Sequence, residues 1–332
     1  MNMIMMCILV FILLFIILFG LSINKDQNWF MSKEYTNSLK GIMCIIVVLV
    51  HIPVEYTNTI QDAIGSFAYI CVTLFFMFSA YGLMYNLEYK KKYIKEFPKK
   101  RLTTLLIPFF ISNFIFEVVH NNKIISINFF KALIGINKIS FITILIILYI
   151  IFYLVSLIVK TNTRRNLLLI LIPFLFSIIT YLLKLSIWNV EMMGFSFGIA
   201  LYLYNEKIHT LLYSKKIFFL VLLFSFVCGI LYIKNKYIFF FGEYLLRLVL
   251  DALLIYVIFF MTYSFKIYNS INSILGKISY EIYLYHSIVI YLVYKMELSE
   301  SYQFIYIVLF LSFIIAWILN IFDKYIIKKI IK

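Results

Sequence analysis

Apolar runs separated by short charged breaks recur along the whole chain. Each holds about 18 or more residues, enough for a helix to cross a hydrocarbon core ~30 Å thick. Eleven helices are predicted, near 3–23, 40–56, 66–86, 102–119, 139–160, 166–184, 188–204, 216–233, 244–263, 278–295 and 302–322. The roughly ten-residue alternation of a membrane barrel strand is missing. The pattern therefore predicts an all-α fold, a polytopic membrane helix bundle, without a soluble domain, a low-complexity linker or an internal repeat. Residues 1–36 read as an extra N-terminal transmembrane anchor and linker, and 37–332 as the main membrane domain. The first run has no basic n-region and no small-residue cleavage site, so an uncleaved anchor is expected rather than a signal peptide.

Composition agrees with the pattern. Of 332 residues, 64% are hydrophobic and only 14% are charged. A soluble domain of this size needs more polar surface than that. With residue 40 on the cytoplasmic side, 22 of the 30 lysines and arginines fall in inner segments. The outer ones are Lys123, Lys131, Lys138, Lys184, Lys234, Lys236 and Lys295, and Arg247 lies within a helix. Such a bias orients a polytopic protein, here with the C-terminus, Lys332 included, in the cytoplasm. The net charge of +15 is then an orientation signal and a match to anionic membrane lipid, not a nucleic-acid surface. The four cysteines, Cys7, Cys44, Cys71 and Cys228, lie inside apolar runs without metal spacing and read as small core residues.

Chemistry is concentrated in the polar residues of the spans: His51, Glu55, Glu117, Glu191, Arg247, Asp251, Glu281 and His286. Ionisable groups in transmembrane helices face a bundle interior or a wet cavity. At 1.5 Å rise per residue, His51 lies roughly 16 Å along its helix from Lys40, and His286 roughly 13 Å from Lys277. Glu55 follows His51 by four residues, so the two are expected to share a face, the carboxylate fixing the imidazole tautomer. Pro53 is expected to kink the same helix. A packing histidine is the alternative for His51, and a structural one for His286. His120 and His209 read as surface residues in loops. The basic run "YKKKYIKEFPKKR" at 89–101 serves as a clamp on anionic lipid, or as a docking surface for a phosphorylated donor through Lys99, Lys100 and Arg101.

Four stretches, in order, carry a resemblance: "NSLKGIMCIIVVLVHI" at 37–52, "VTLFFMFSAYGLMYN" at 72–86, "FPKKRLTTLLIPFF" at 97–110 and "ISYEIYLYHSIVI" at 278–290. A fifth, "WNVEMMGFSFG" at 188–198, sits between them. Together they resemble the acyltransferase family 3 integral membrane acyltransferases, the type that O-acetylates bacterial surface glycans. The resemblance implies a ten-helix acyltransferase core, with 3–23 as one added helix. It implies an essential histidine at His51 with Glu55 assisting, and acyl-CoA binding by Lys40, Lys99, Lys100 and Arg101. Tyr283, His286 and Glu281 would line the cavity or orient His51. Lys40 stands where the family commonly has arginine, and Lys99-Lys100-Arg101 replaces an Arg-x-Arg form.

The activity so implied is transfer of an acyl group, acetyl above all, from acetyl-CoA to a sugar hydroxyl of a surface glycan or lipid-linked precursor. It would use no metal and no nucleic acid, in the bacterial cytoplasmic membrane. His51 would take the hydroxyl proton directly or carry the acetyl group briefly. A multi-pass transporter or flippase is the rival reading. A polysaccharide polymerase is disfavoured by the short outer loop 120–138, which carries no carboxylate.

Overall fold

A computed structural model describes residues 2–26, 28–120, 126–135, 139–185 and 187–331. Lys123, Lys138 and Lys332 lie outside these. The helices are α1 (Asn2–Leu18), α2 (Lys33–Val50), α3 (Thr59–Gly65), α4 (Ala68–Tyr89), α5 (Tyr93–Phe97), α6 (Thr103–Val119), α7 (Ile127–Leu133) and α8 (Phe141–Ile158). They continue as α9 (Asn162–Leu182), α10 (Met193–Leu203), α11 (Asn205–Tyr213), α12 (Lys215–Asn235), α13 (Arg247–Ser264), α14 (Ser270–Lys277), α15 (Ser279–Tyr294) and α16 (Ser301–Ile331). π-helical turns at Pro98–Leu102 and Phe241–Leu246 lead into α6 and α13. The fold is all-α and polytopic, and each of the eleven predicted runs overlaps a helix, though α1 and α10 are shorter than the runs that predict them and α2 ends at Val50, before its run does. Seven described segments are long and apolar enough to cross a membrane: Thr59–Tyr89, Tyr93–Val119, Phe141–Ile158, Asn162–Leu182, Lys215–Asn235, Phe241–Ser264 and Ser301–Ile331. The other expected spans are shorter or begin with charge; α10 has 11 residues and α15 has 16.

The helices group into two compact units. One comprises 1–71, 103–138 and 265–332. In it α2 and α14 cross at very short range. A Cβ on Gly41 would strike the Asn272 backbone, and one on Gly276 the Asn37 carbonyl. Glycine at both places is what lets the backbones touch. Asn269 donates to the carbonyls of Ile16 (2.7 Å) and Phe19 (3.0 Å), satisfying acceptors at the end of α1. The N-terminal helix is thereby tied to α14. An apolar core joins α2, α15 and α16 through Val48, Leu49, Ile282, Val289, Phe304 and Val308.

The other unit comprises 72–102 and 139–264. Gly194 and Gly198 bring α10 onto α4, where a Cβ would meet the carbonyls of Thr73 and Met77. Ser196 of α10 also donates to the Ile170 carbonyl of α9 at 2.8 Å. Of the cysteines, Cys44, Cys71 and Cys228 are buried and Cys7 is exposed.

Candidate functional site

The end of α2 sets the position of His51. The helix starts on Ser32, whose Oγ accepts from the Tyr35 amide at 3.1 Å, and stops at Val50. His51 is its C-cap, with φ −94° and ψ 2°. The last turn tightens: the amides of His51 and Ile52 donate to Val48 and Leu49, three residues back. Pro53 stands beyond the helix rather than kinking it, because the residue before a proline is steered out of the α region. Two side chains then finish the open carbonyls. His51 Nδ1 lies 2.7 Å from the Val47 carbonyl, and Gln61 Nε2 donates to Leu49 O at 2.6 Å. A carbonyl can only accept, so Nδ1 carries the hydrogen and Nε2 is the basic nitrogen.

This corrects the expectation for Glu55. With α2 ended at Val50, a four-residue spacing no longer stacks Glu55 on His51. The carboxylate rides on a separate 3-10 turn, Val54–Tyr56, and is exposed. The partner of His51 Nδ1 is the backbone.

Helix α15 delivers the second imidazole. His286 is buried, and its ring lies against that of His51, centroids 4.8 Å apart with planes at 65°. His286 Nδ1 is 2.8 Å from the Tyr283 carbonyl and 3.2 Å from that of Ile282. The same reasoning puts its hydrogen on Nδ1 and its basic lone pair on Nε2. Two imidazoles of one tautomer, one exposed and one buried, therefore meet edge to face. The Tyr283 ring is 5.7 Å from that of His286.

Glu281, one turn earlier, joins a different set of groups. Its Oε1 accepts from Asn320 Nδ2 at 2.7 Å, and Asn320 Oδ1 accepts from Lys324 Nζ at 2.6 Å. Lys40 is half-buried on α2 in the same unit. His120 is no loose surface residue. Its ring stacks on Tyr291 (3.7 Å) and Phe116 (4.0 Å), and Nδ1 meets the Phe116 carbonyl at 2.8 Å. His209, expected in a loop, is on a helix, α11, with Nδ1 3.3 Å from the Tyr263 hydroxyl.

In the other unit, Lys99, Lys100 and Arg101 occupy the π turn. An aromatic anchor fixes this turn: Phe97, fully buried, stacks on Phe152 (5.9 Å) and Tyr153 (5.6 Å) of α8. The three basic residues are not equivalent. Lys99 and Lys100 are exposed, Lys100 paired with Glu96 at 2.7 Å. Arg101 is half-buried, its guanidinium 5.9 Å above the Tyr149 ring.

A buried charged group accompanies them in this unit. Arg247 pairs with Glu191, and Thr73 Oγ1 donates to Asp251 Oδ2 at 2.7 Å. The sequence flags three of these residues but not Thr73, nor that they associate. It also gives no weight to Tyr285, Asn320 and Asp323, buried polar groups of α15 and α16. Their signal is the polar pair Asn320 and Asp323 within the last apolar run.

Among the described residues no group of three or more His, Cys, Asp or Glu could hold a metal ion. Neither a curated protein nor a solved structure gives a significant match to the chain. The acyltransferase-domain family model, however, matches residues 33–321, which span the imidazole pair, the basic turn and the buried ion pair alike. The chain belongs to that family and is a multi-pass membrane acyltransferase of the acyltransferase 3 type.

Proposed function

We propose that the protein moves an acyl group, acetyl above all, from acyl-CoA to a hydroxyl of a cell-surface or exported glycan or its lipid-linked precursor. The single observation that carries this reading is the approach of His51 and His286, each with Nδ1 on a backbone carbonyl. An imidazole so fixed is a ready general base at neutral pH. In the reaction, His51 Nε2 accepts the proton of the acceptor hydroxyl as its oxygen attacks the thioester carbonyl carbon. The carbon–sulfur bond breaks, and the proton passes to the departing thiolate. His286 shares the positive charge while it rests on the pair, with Tyr283 beside it.

The donor's phosphates are bound by Lys99, Lys100 and Arg101. Glu55, exposed, adds only a weak electrostatic pull on the imidazolium. The protein sits in the bacterial cytoplasmic membrane with its C-terminus inside, its basic segments against anionic lipid.

Labelled acetyl-CoA given to membranes of cells expressing the protein tests this. Label recovered in extracted glycan, and lost with His51→Ala at unchanged protein abundance, is the expected result. Movement of glycan or lipid across the membrane without labelling would establish the transport reading instead.

A further inference from the structure

The seam between α15 and α16 holds polar atoms that the acyl-transfer reading does not use. Glu281 (6% exposed), Tyr285 (1%) and Asp323 (1%) are enclosed there within an apolar helix pair. Glu281 Oε2, Tyr285 Oη and both carboxyl oxygens of Asp323 have no hydrogen-bond partner. Buried polar atoms are almost always partnered, by protein or by something bound. The Tyr285 hydroxyl lies within electrostatic reach of both carboxyls, and Asp323 within reach of Glu281. Tyr285 follows Glu281 by four residues on α15, and Asp323 follows Asn320, the hydrogen-bond partner of Glu281, by three on α16, so the three groups lie on the facing sides of the two helices.

The charges do not balance. Two carboxylates are enclosed, and Lys324 of α16, within electrostatic reach of Glu281, is exposed and hydrogen-bonded to Asn320 instead of to either. An enclosed charge this short of compensation acquires a counter-charge. Three acceptor oxygens and a phenol form a hard-oxygen donor set, without the third carboxylate or imidazole a transition metal would seek.

We propose that the α15–α16 seam binds one small monovalent cation, a proton or a sodium ion, between Glu281, Tyr285 and Asp323. Glu281 precedes His286 by five residues, roughly 7.5 Å of helix rise. Occupancy therefore sets the charge about one and a half turns of α15 from His286. The site is independent of which acyl group or acceptor the enzyme uses.

The elements packed on this seam also carry Lys33, Glu34 and Lys40 (α2), His51 at the end of α2, Glu117 (α6) and Lys277 (α14), and Glu55 lies on the turn packed against α16. An effect of pH or salt is therefore ascribed to the seam only where a seam variant removes it. The test is the unfolding midpoint of the purified full-length protein in lipid nanodiscs. Sodium chloride is exchanged for choline chloride at constant ionic strength, and pH is varied in each. Binding to the folded state raises the midpoint by mass action. If sodium occupies the site, the midpoint rises by several degrees with sodium over choline, and Asp323→Asn abolishes the rise. If a proton does, sodium has no effect and the midpoint rises as pH falls, again only with Asp323 intact. Tyr285→Phe, which keeps the ring, should weaken either response and guards against an unstable Asp323→Asn. Responses to sodium and pH that are unchanged in both variants would overturn the proposal. Acetyl transfer plays no part in the readout, so loss of the acyltransferase reading would leave this result standing, and the converse.

Discussion

His51 has two roles that a single ring can fill. Its Nδ1 closes the end of α2 on Val47, which is a structural task, and this bond leaves Nε2 as the base. The packing reading is met by Nδ1, and the proposed catalytic role falls to the other edge of the same imidazole. His286 is predicted to assist without binding the donor. His286→Gln should lower kcat about tenfold, the worth of ~1.4 kcal/mol, and leave KM for acetyl-CoA unchanged; steady-state kinetics on membranes would check this. Arg101→Lys should do the opposite, raising KM for acetyl-CoA more than it lowers kcat, because the planar fork is lost while the charge remains. Equal effects of the two variants on both constants would contradict this division of roles. Both histidines were legible as isolated polar residues in apolar runs. The resemblance puts His286 beside His51, but the contact of the two rings depends on where α2 stops, and the expectation for Glu55 fails because it extends that helix past Pro53. Counting four residues onward presumes a helix that the proline forbids.

At the scale of elements, apolar length reveals helices reliably because each must satisfy its backbone within the membrane. Helices shorter than a span, such as α3, α7, α11 and α14, leave no such mark and were not anticipated. One of them matters for the site. The crossing of α14 on α2 fixes the base of the helix that carries His51, and it depends on Gly41 and Gly276. Gly41→Val should force the backbones apart and cost roughly 1–3 kcal/mol, read as a lower midpoint of thermal inactivation. A midpoint equal to wild type would show that the crossing is loose. In the other unit, Arg247→Ala leaves Glu191 enclosed without its partner, at a cost of roughly 3–5 kcal/mol. The double variant Arg247→Met with Glu191→Leu should recover much of that loss, since apolar replacement of a buried pair is often tolerated. Failure of the double variant to regain thermal stability would mean the pair is needed for more than charge balance.

For the molecule as a whole, the alternation along the sequence of segments rich and poor in lysine and arginine predicts a cytoplasmic C-terminus. A reporter fused after residue 332 that is active only in the cytoplasm should be active; activity of a periplasmic reporter at that point would reverse the orientation and with it the side from which acyl-CoA arrives. The account as a whole rests on the imidazole pair moving a proton during acyl transfer. The most direct test is single-turnover acetyl transfer by purified protein in nanodiscs, comparing wild type with His51→Ala. General-base assistance of this type is worth about 10²–10⁴-fold. The account predicts a loss of that size in the variant, with an unchanged thermal midpoint and unchanged binding of acetyl-CoA. Transfer at the wild-type rate by a folded His51→Ala protein would contradict it.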